Sequence, residues 1–397
     1  MTYQEHKLLP KAEFVDRWKK VQGLMDKYGL DALLLTMDTD FLYMTGSEPP
    51  FHYSRPQLLV VPRHGEPVGI IAGQNVLEKV RRQSYLTDIR LGDLLQVSAE
   101  SVKQVIEEVG AKRGKIGTEL GLNSRLGMSQ VEFQAVQAAL PEAKFLDASK
   151  LMFEVRIIKS PLEIQAHRRS CEISDAAHNL IVNAAKPGMS ERELARILMT
   201  RMMEEEGYSP FVFVRGGPGH IGTVGAARFF STNTTKKIER GRLLVDLGCC
   251  YNYYWSDFDR IYWVGQPPES AIRRHGVIRD MIEGALKKVR DGVKVSQLVA
   301  TTIDIYGQSR INEGTGAKEM VTKRTGRIGH GIGLDPCEPP DLTLDNAMEL
   351  KEGMVFAIEP MYDDDYGRWI LEQDVLVTKD GYELLSRAPL EMRTIPS

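Results

Sequence analysis

Cysteine is scarce in this chain, with four residues (Cys171, Cys249, Cys250 and Cys337) among 397. So few thiols in so long a chain argue against a disulfide frame and for a reduced, cytoplasmic protein. Long apolar runs are also missing. No stretch approaches the roughly eighteen residues that a membrane-spanning helix needs. The opening residues, MTYQEHKLLPKAEF, hold no apolar core and no small-residue cleavage site, so no signal peptide is expected. No block of lysine and arginine stands out, and the net charge is −3. Nothing electrostatic therefore points to nucleic acid or to an anionic membrane. Repeats and low-complexity segments are absent. The one glycine-rich stretch, Arg215-Gly216-Gly217-Pro218-Gly219, lacks the Gly-Lys-Ser/Thr ending of a phosphate loop and reads as a plain loop.

What is present is a globular composition, 42% hydrophobic and 26% charged, in a chain too long for one ordinary core. Phe14, Trp18, Val21, Met25 and Tyr28 recur at helical spacing until Gly29. Ala32–Leu35, Leu58–Val61 and Val68–Ile71 read as buried strands, and Pro62-Arg63-His64-Gly65 as a turn. A helix around Ala99–Val109 and a short strand near Lys115–Gly117 follow. Residues 1–155 are thus expected to form an α/β domain with a mixed sheet. Ser160 then looks like a helix N-cap, with Pro161 at the first helical position and Glu163 completing a capping box. That helix is expected to run to about Ala185, and a second, capped by Ser190 and Glu193, to about Glu206. A third is expected over Glu269–Arg290. Strand-like runs are Leu243–Leu247, Tyr253–Trp255, Arg260–Val264, Met354–Ile358 and Leu371–Thr378. Helices and strands come in blocks, which makes residues 156–397 an α+β domain.

Acids inside apolar runs carry the chemistry. Asp246 lies in Leu243-Leu244-Val245-Asp246-Leu247, where burial is costly unless its charge is compensated. Taken alone, an edge strand or a salt bridge explains it. Cys250–Tyr253 can turn the chain, so Asp246 and Asp257 are expected to face each other across a hairpin. Two such carboxylates repel unless a cation joins them. His330 is framed by glycines in Gly329-His330-Gly331-Ile332-Gly333, which allow a partner close approach. Glu359 ends Met354-Val355-Phe356-Ala357-Ile358, and Glu372 opens a return strand. Four carboxylates and one imidazole suit manganese, iron(II), cobalt(II) or zinc better than copper. Two ions about 3.5–4 Å apart would generate a nucleophilic water near neutral pH.

The order of these segments resembles the pita-bread family of creatinase, prolidase, aminopeptidase P and methionine aminopeptidase. An Asp is followed eleven residues on by a second. Then come Gly-His-Gly-Ile-Gly, Gly-Met-Val-Phe-Ala-Ile-Glu-Pro, and a Glu before Val-Leu-Val-Thr. The N-terminal half, including Tyr43-Met44-Thr45-Gly46, resembles the creatinase/prolidase N-domain, which favours the prolidase-like branch. The resemblance implies a C-terminal pita-bread domain holding two divalent metal ions, manganese first among them, on Asp246, Asp257, His330, Glu359 and Glu372. Glu359 would double as general base. It further implies a homodimer. In Phe51-His52-Tyr53-Ser54-Arg55, a loop like one that reaches the partner's site in creatinase, Tyr53 and Arg55 would touch substrate; an exposed loop arginine is the plainer reading of Arg55.

The chain departs from the family pattern at two positions. Seven residues after the ligand histidine, where peptidases of the family usually have a second, stands Cys337. Upstream of the first Asp the chain reads Ala227-Arg228-Phe229 where a histidine is usual. Cys337 reads either as a small buried apolar residue or as a catalytic thiolate. Arg228 reads as a fixed cation for an oxyanion or as a surface arginine. His220 reads as a loop residue. Asp259, where threonine is frequent, would pair with Arg260 or lie behind the metal ligands. The resulting expectation is a prolidase-like Xaa-Pro peptidase acting on small peptides. The alternative is a small-molecule C–N hydrolase or lyase resembling creatinase, ectoine hydrolase or dimethylsulfoniopropionate lyase. A non-catalytic binding module fits least, because all five ligands are kept.

Overall fold

The computed structural model of the chain describes residues 8–48, 56–217, 235–311, 327–364 and 367–397. The chain divides into two compact units, Met1–Arg156 and Ile157–Ser397. Among the described residues, the first unit contains α1 (Lys11–Tyr28), β1 (Ala32–Leu35), α2 (Asp38–Thr45), β2 (Gln57–Pro62), β3 (Val68–Ala72) and α3 (Gln74–Gln83), followed by β4 (Asp88–Asp93), α4 (Ala99–Glu108), β5 (Lys115–Thr118), α5 (Gln130–Ala139), β6 (Lys144–Asp147) and α6 (Ser149–Arg156). Its sheet runs β4-β3-β2-β1-β5-β6. The β1–β2 and β2–β3 pairs are antiparallel and the other three parallel, so the sheet is mixed. Every residue of β1, β2 and β3 is buried, as expected for central strands covered on both faces. Helix α1 buries Phe14, Trp18, Val21 and Met25 and stops at Gly29, which takes the left-handed conformation at φ 64°.

The second unit opens with α7 (Pro161–Ala184) and α8 (Glu191–Glu204), followed by β7 (Tyr208–Gly216), β8 (Gly241–Tyr251), β9 (Tyr254–Trp255), β10 (Phe258–Val264), α9 (Glu269–Leu286) and α10 (Val295–Ser309). Short strands complete it: β11 (Gly329–Gly331), β12 (Glu338–Asp341), β13 (Val355–Ile358), β14 (Met361–Asp364), β15 (Gly367–Ile370), β16 (Gln373–Val377), β17 (Tyr382–Leu384) and β18 (Arg393–Ile395). Both expected capping boxes close: Ser160 with Glu163, and Ser190 with Glu193. Helix α9 stops at Leu286, short of the expected Arg290. There the chain tightens into turns, with Lys288 N–H bonding Ala285 O at 2.9 Å and Val289 N–H bonding Leu286 O at 3.0 Å.

Two sheets position the acids. The first runs β18-β10-β8-β7 with β9 on β8, and the second β12-β11-β13-β16-β17. Between β8 and β9 the chain reverses through Asn252 and Tyr253, both at positive φ (48° and 68°), the geometry of a tight hairpin that keeps the strand twist. Strand β8 is interior, flanked by β7 and β10, which removes the edge-strand explanation of Asp246. In the second sheet, Gly329 lets β11 close on β13, because a Cβ there would collide with the carbonyl of Ala357.

Candidate metal centre

Strand register decides which acids meet. In the β8–β10 hairpin, Asp246 sits directly opposite Asp259 and Leu247 opposite Phe258. The hairpin is the expected one, but the register partner of Asp246 is Asp259, with Asp257 two residues earlier. Alternation along a strand sends Asp246, Asp257 and Asp259 to one face. In the second sheet, His330 pairs with Ala357, and Ile358 with Gln373. One step further along that ladder sets Glu359 opposite Glu372, beside the histidine. Two ties hold the sheets in place. The Asp257 N–H donates to Asp374 Oδ2 at 3.0 Å. Arg260, wholly buried, donates to the Glu372 carbonyl and, at 2.6 Å, to Gln373 Oε1.

The convergence is centred on His330. Its Nε2 lies 3.9 Å from Asp257 Oδ2, 3.7 Å from Glu359 Oε1 and 3.9 Å from Glu372 Oε1. These gaps are too long for hydrogen bonds and fall inside twice a metal–ligand bond of about 2.1 Å. Ligand atoms of Asp257, His330 and Glu372 all lie within 4.8 Å of one another. His330 Nδ1 is 3.0 Å from the Gly331 carbonyl, which only accepts, so Nδ1 carries the proton and Nε2 faces the acids. Asp246 Oδ1 and Glu372 Oε1 are buried with no hydrogen-bond partner among the described residues. Orphaned buried carboxylate oxygens are costly, and a divalent cation is the partner that suits this oxygen-rich set.

The electrostatics agree with that fit. Burial and the neighbouring Glu359 push Asp246 up to about 7. Burial and the Asp246 charge push Asp257 and Asp259 well above the ordinary carboxylate range, and burial with Asp257 does the same to Glu372. Burial opposes charge on His330, but the Cys337 side chain and the carboxylates of Glu359 and Asp257 outweigh it and lift the imidazole to about 10. This is the signature of clustered acids awaiting positive charge.

Asp246, Asp257, His330, Glu359 and Glu372 therefore share one locality. Cys337 is exposed, which corrects the reading of it as a small buried apolar residue. It caps the end of Arg327, whose Nη1 is 3.2 Å from Cys337 Sγ and 2.6 Å from Asp341 Oδ1, while Nε is 3.9 Å from Glu359 Oε1. Of the two readings of Asp259, pairing with Arg260 is not seen as a hydrogen bond between the side chains: Arg260 donates to the Asp259 carbonyl and acts on the carboxylate only through its charge. Tyr53, Arg55, His220 and Arg228 lie outside the described residues. Two residues beside the site carry no expectation from the sequence. Asp374 follows Glu372 by two and is buried, and its spacing was a usable signal. Arg327 precedes His330 by three, and nothing local announced it.

Comparison with known proteins gives this geometry a family. Residues 165–379 match the model for metallopeptidase family M24, and residues 17–158 match the creatinase/prolidase N-terminal domain. An Xaa-Pro dipeptidase of Pyrococcus horikoshii is 26% identical over 379 residues, covering 95% of this chain and 98% of its own. A probable dipeptidase PepE of Mycobacterium tuberculosis is 27% identical over 374 residues, with 93% of each covered. Among solved structures, an Xaa-Pro dipeptidase from Bacillus anthracis shares the fold with a TM-score of 0.80 at 23% identity, over 96% of this chain and 100% of that one.

Proposed function

The chain belongs to metallopeptidase family M24 and is a metal-dependent peptidase; from that premise we propose that it holds two divalent cations and cleaves Xaa-Pro dipeptides. The observation that carries the reading is the set of acid oxygens 3.7–3.9 Å from His330 Nε2. Asp246, Asp257, His330, Glu359 and Glu372 would hold the cations. When bound, such ions polarise a carbonyl and bring a water's pKa near neutrality. Glu359, half-buried at the end of β13, takes the proton of the attacking water and returns it to the leaving amine. His330, its Nδ1–H held by the Gly331 carbonyl, would present Nε2 to the cations. The Asp374 bond to the Asp257 N–H fixes that loop against the second sheet.

Manganese as the resident metal, a homodimer, substrate contacts from Tyr53 and Arg55, an oxyanion role for Arg228 and a cytoplasmic location belong to the same reading. A second reading is favoured by one observation. Cys337, bonded to Arg327, stands seven residues after His330. A site with a thiol there suits a small-molecule C–N hydrolase or lyase on the same scaffold.

The test is metal analysis of purified protein with a dipeptide panel. Two Mn²⁺ per chain, hydrolysis confined to Xaa-Pro members and loss of activity on chelation support the proposal. Manganese-loaded protein that leaves the whole panel intact overturns the peptidase specificity and moves the search to small-molecule C–N substrates.

A further inference from the structure

We propose that Asp259 is a sixth ligand of the metal centre and its fifth carboxylate, an inference that rests on the two-cation reading above. Strand register puts its Cα directly across β8–β10 from Asp246. Opposed residues in an antiparallel pair share a face, with Cβ atoms about 4.5–5.5 Å apart. Asp259 is 1% exposed, so water does not satisfy its charge. Its Oδ1 is buried with no hydrogen-bond partner among the described residues.

Two cations act on Asp259, and both are committed elsewhere. Arg260 donates to the carbonyls of Asp259, Glu372, Ala388 and Pro389 and to Gln373 Oε1. Arg368 Nε donates to Asp363 Oδ1 at 3.1 Å. The acids that bear on Asp259 are Asp246, Glu359 and Glu372. A structural acid would be tied to an arginine, a backbone N–H or a hydroxyl. Asp374, two residues from Glu372, shows that pattern, accepting from the Asp257 N–H and from Cys171. Asp259 has no such tie and points with three other acids to one place. The remaining partner for its oxygens is the cation those neighbouring acids surround.

The test compares wild type, Asp259→Asn and Asp259→Ala after chelation. Mn²⁺ binding is followed by titration calorimetry, and thermal unfolding is recorded with and without Mn²⁺. A lost ligand raises the Kd of at least one ion by about tenfold or more. Metal-free Asp259→Asn melts no lower than wild type, because one of the crowded charges has gone, whereas its gain in Tm on adding Mn²⁺ shrinks. Unchanged Kd values together with a lower metal-free Tm overturn the proposal and make Asp259 structural. Should Asp259→Ala fail to fold, the near-isosteric Asn variant alone decides. Wild-type protein that takes up no Mn²⁺ overturns the metal reading itself, and this ligand with it.

Discussion

At the residue scale, Asp257 and Cys337 separate binding from specificity. Asp257 Oδ2 lies 3.9 Å from His330 Nε2, alongside Glu359 and Glu372 oxygens at 3.7 and 3.9 Å. Asp257→Ala removes that oxygen and leaves the other acids unbalanced. Metal content and Xaa-Pro turnover should fall together, to background, by elemental analysis and peptide assay. Turnover surviving with the metal gone would contradict the ligand assignment. Cys337 is the one exposed cysteine of the four, and its sulfur lies 3.2 Å from Arg327. Cys337→His places an imidazole where a proton donor to the substrate is useful. General acid–base groups contribute about 10²–10⁴-fold. We expect kcat/KM on Xaa-Pro dipeptides to rise by about tenfold, with metal content unchanged. Unaltered kinetics would show that this position does not limit peptide cleavage.

At the element scale, the centre depends on two sheets being fastened. Asp374, at the start of β16, accepts the Asp257 N–H and the Cys171 thiol at 3.0 and 3.3 Å. Asp374→Ala orphans both donors, at a cost of about 1–3 kcal/mol each. It also loosens Asp257, lowering metal affinity by about 10–100-fold. Denaturant unfolding and metal titration read the two effects, and a stability loss with unchanged affinity would confine Asp374 to packing. Elements with caps and long periods were legible in the sequence: α7 and α8 begin at Ser160 and Ser190 as their capping boxes indicate. Helix α10 is less legible: Val295, Leu298, Val299, Thr302 and Tyr306 recur at helical spacing, but Lys294 at its N-cap is not one of the usual start residues. Strand β11 has three residues, too few for a period, so His330 was read through its flanking glycines. The hairpin was legible from Asp246 and Asp257. Its register, which sets Asp259 against Asp246, was not, because register depends on how many residues the turn consumes.

At the scale of the whole molecule, the acid cluster links stability to pH and metal. Asp246 rises from an ordinary 3.8 to about 7 through burial and Glu359. Folded protein therefore binds more protons here than unfolded protein. The stabilisation is complete below about 3.8 and is lost as pH climbs through about 7. Cations displace those protons, so the gain in Tm on adding Mn²⁺ should grow from pH 5 to pH 7.5, with net proton release on binding. A gain that is flat with pH, or binding without proton release, would contradict the cluster's role. The broad architecture was legible from motif order, since family matches cover residues 17–158 and 165–379. Substrate choice was not, because the segments proposed to carry it, around Tyr53, Arg55 and Arg228, show no helical or strand periodicity.

The most direct check on the centre is anomalous diffraction at the manganese edge from crystals of Mn²⁺-loaded protein. Two peaks about 3.5–4 Å apart should appear, enclosed by Asp246, Asp257, His330, Glu359 and Glu372. Manganese bound elsewhere on the chain, with no peak among these five side chains, would contradict it.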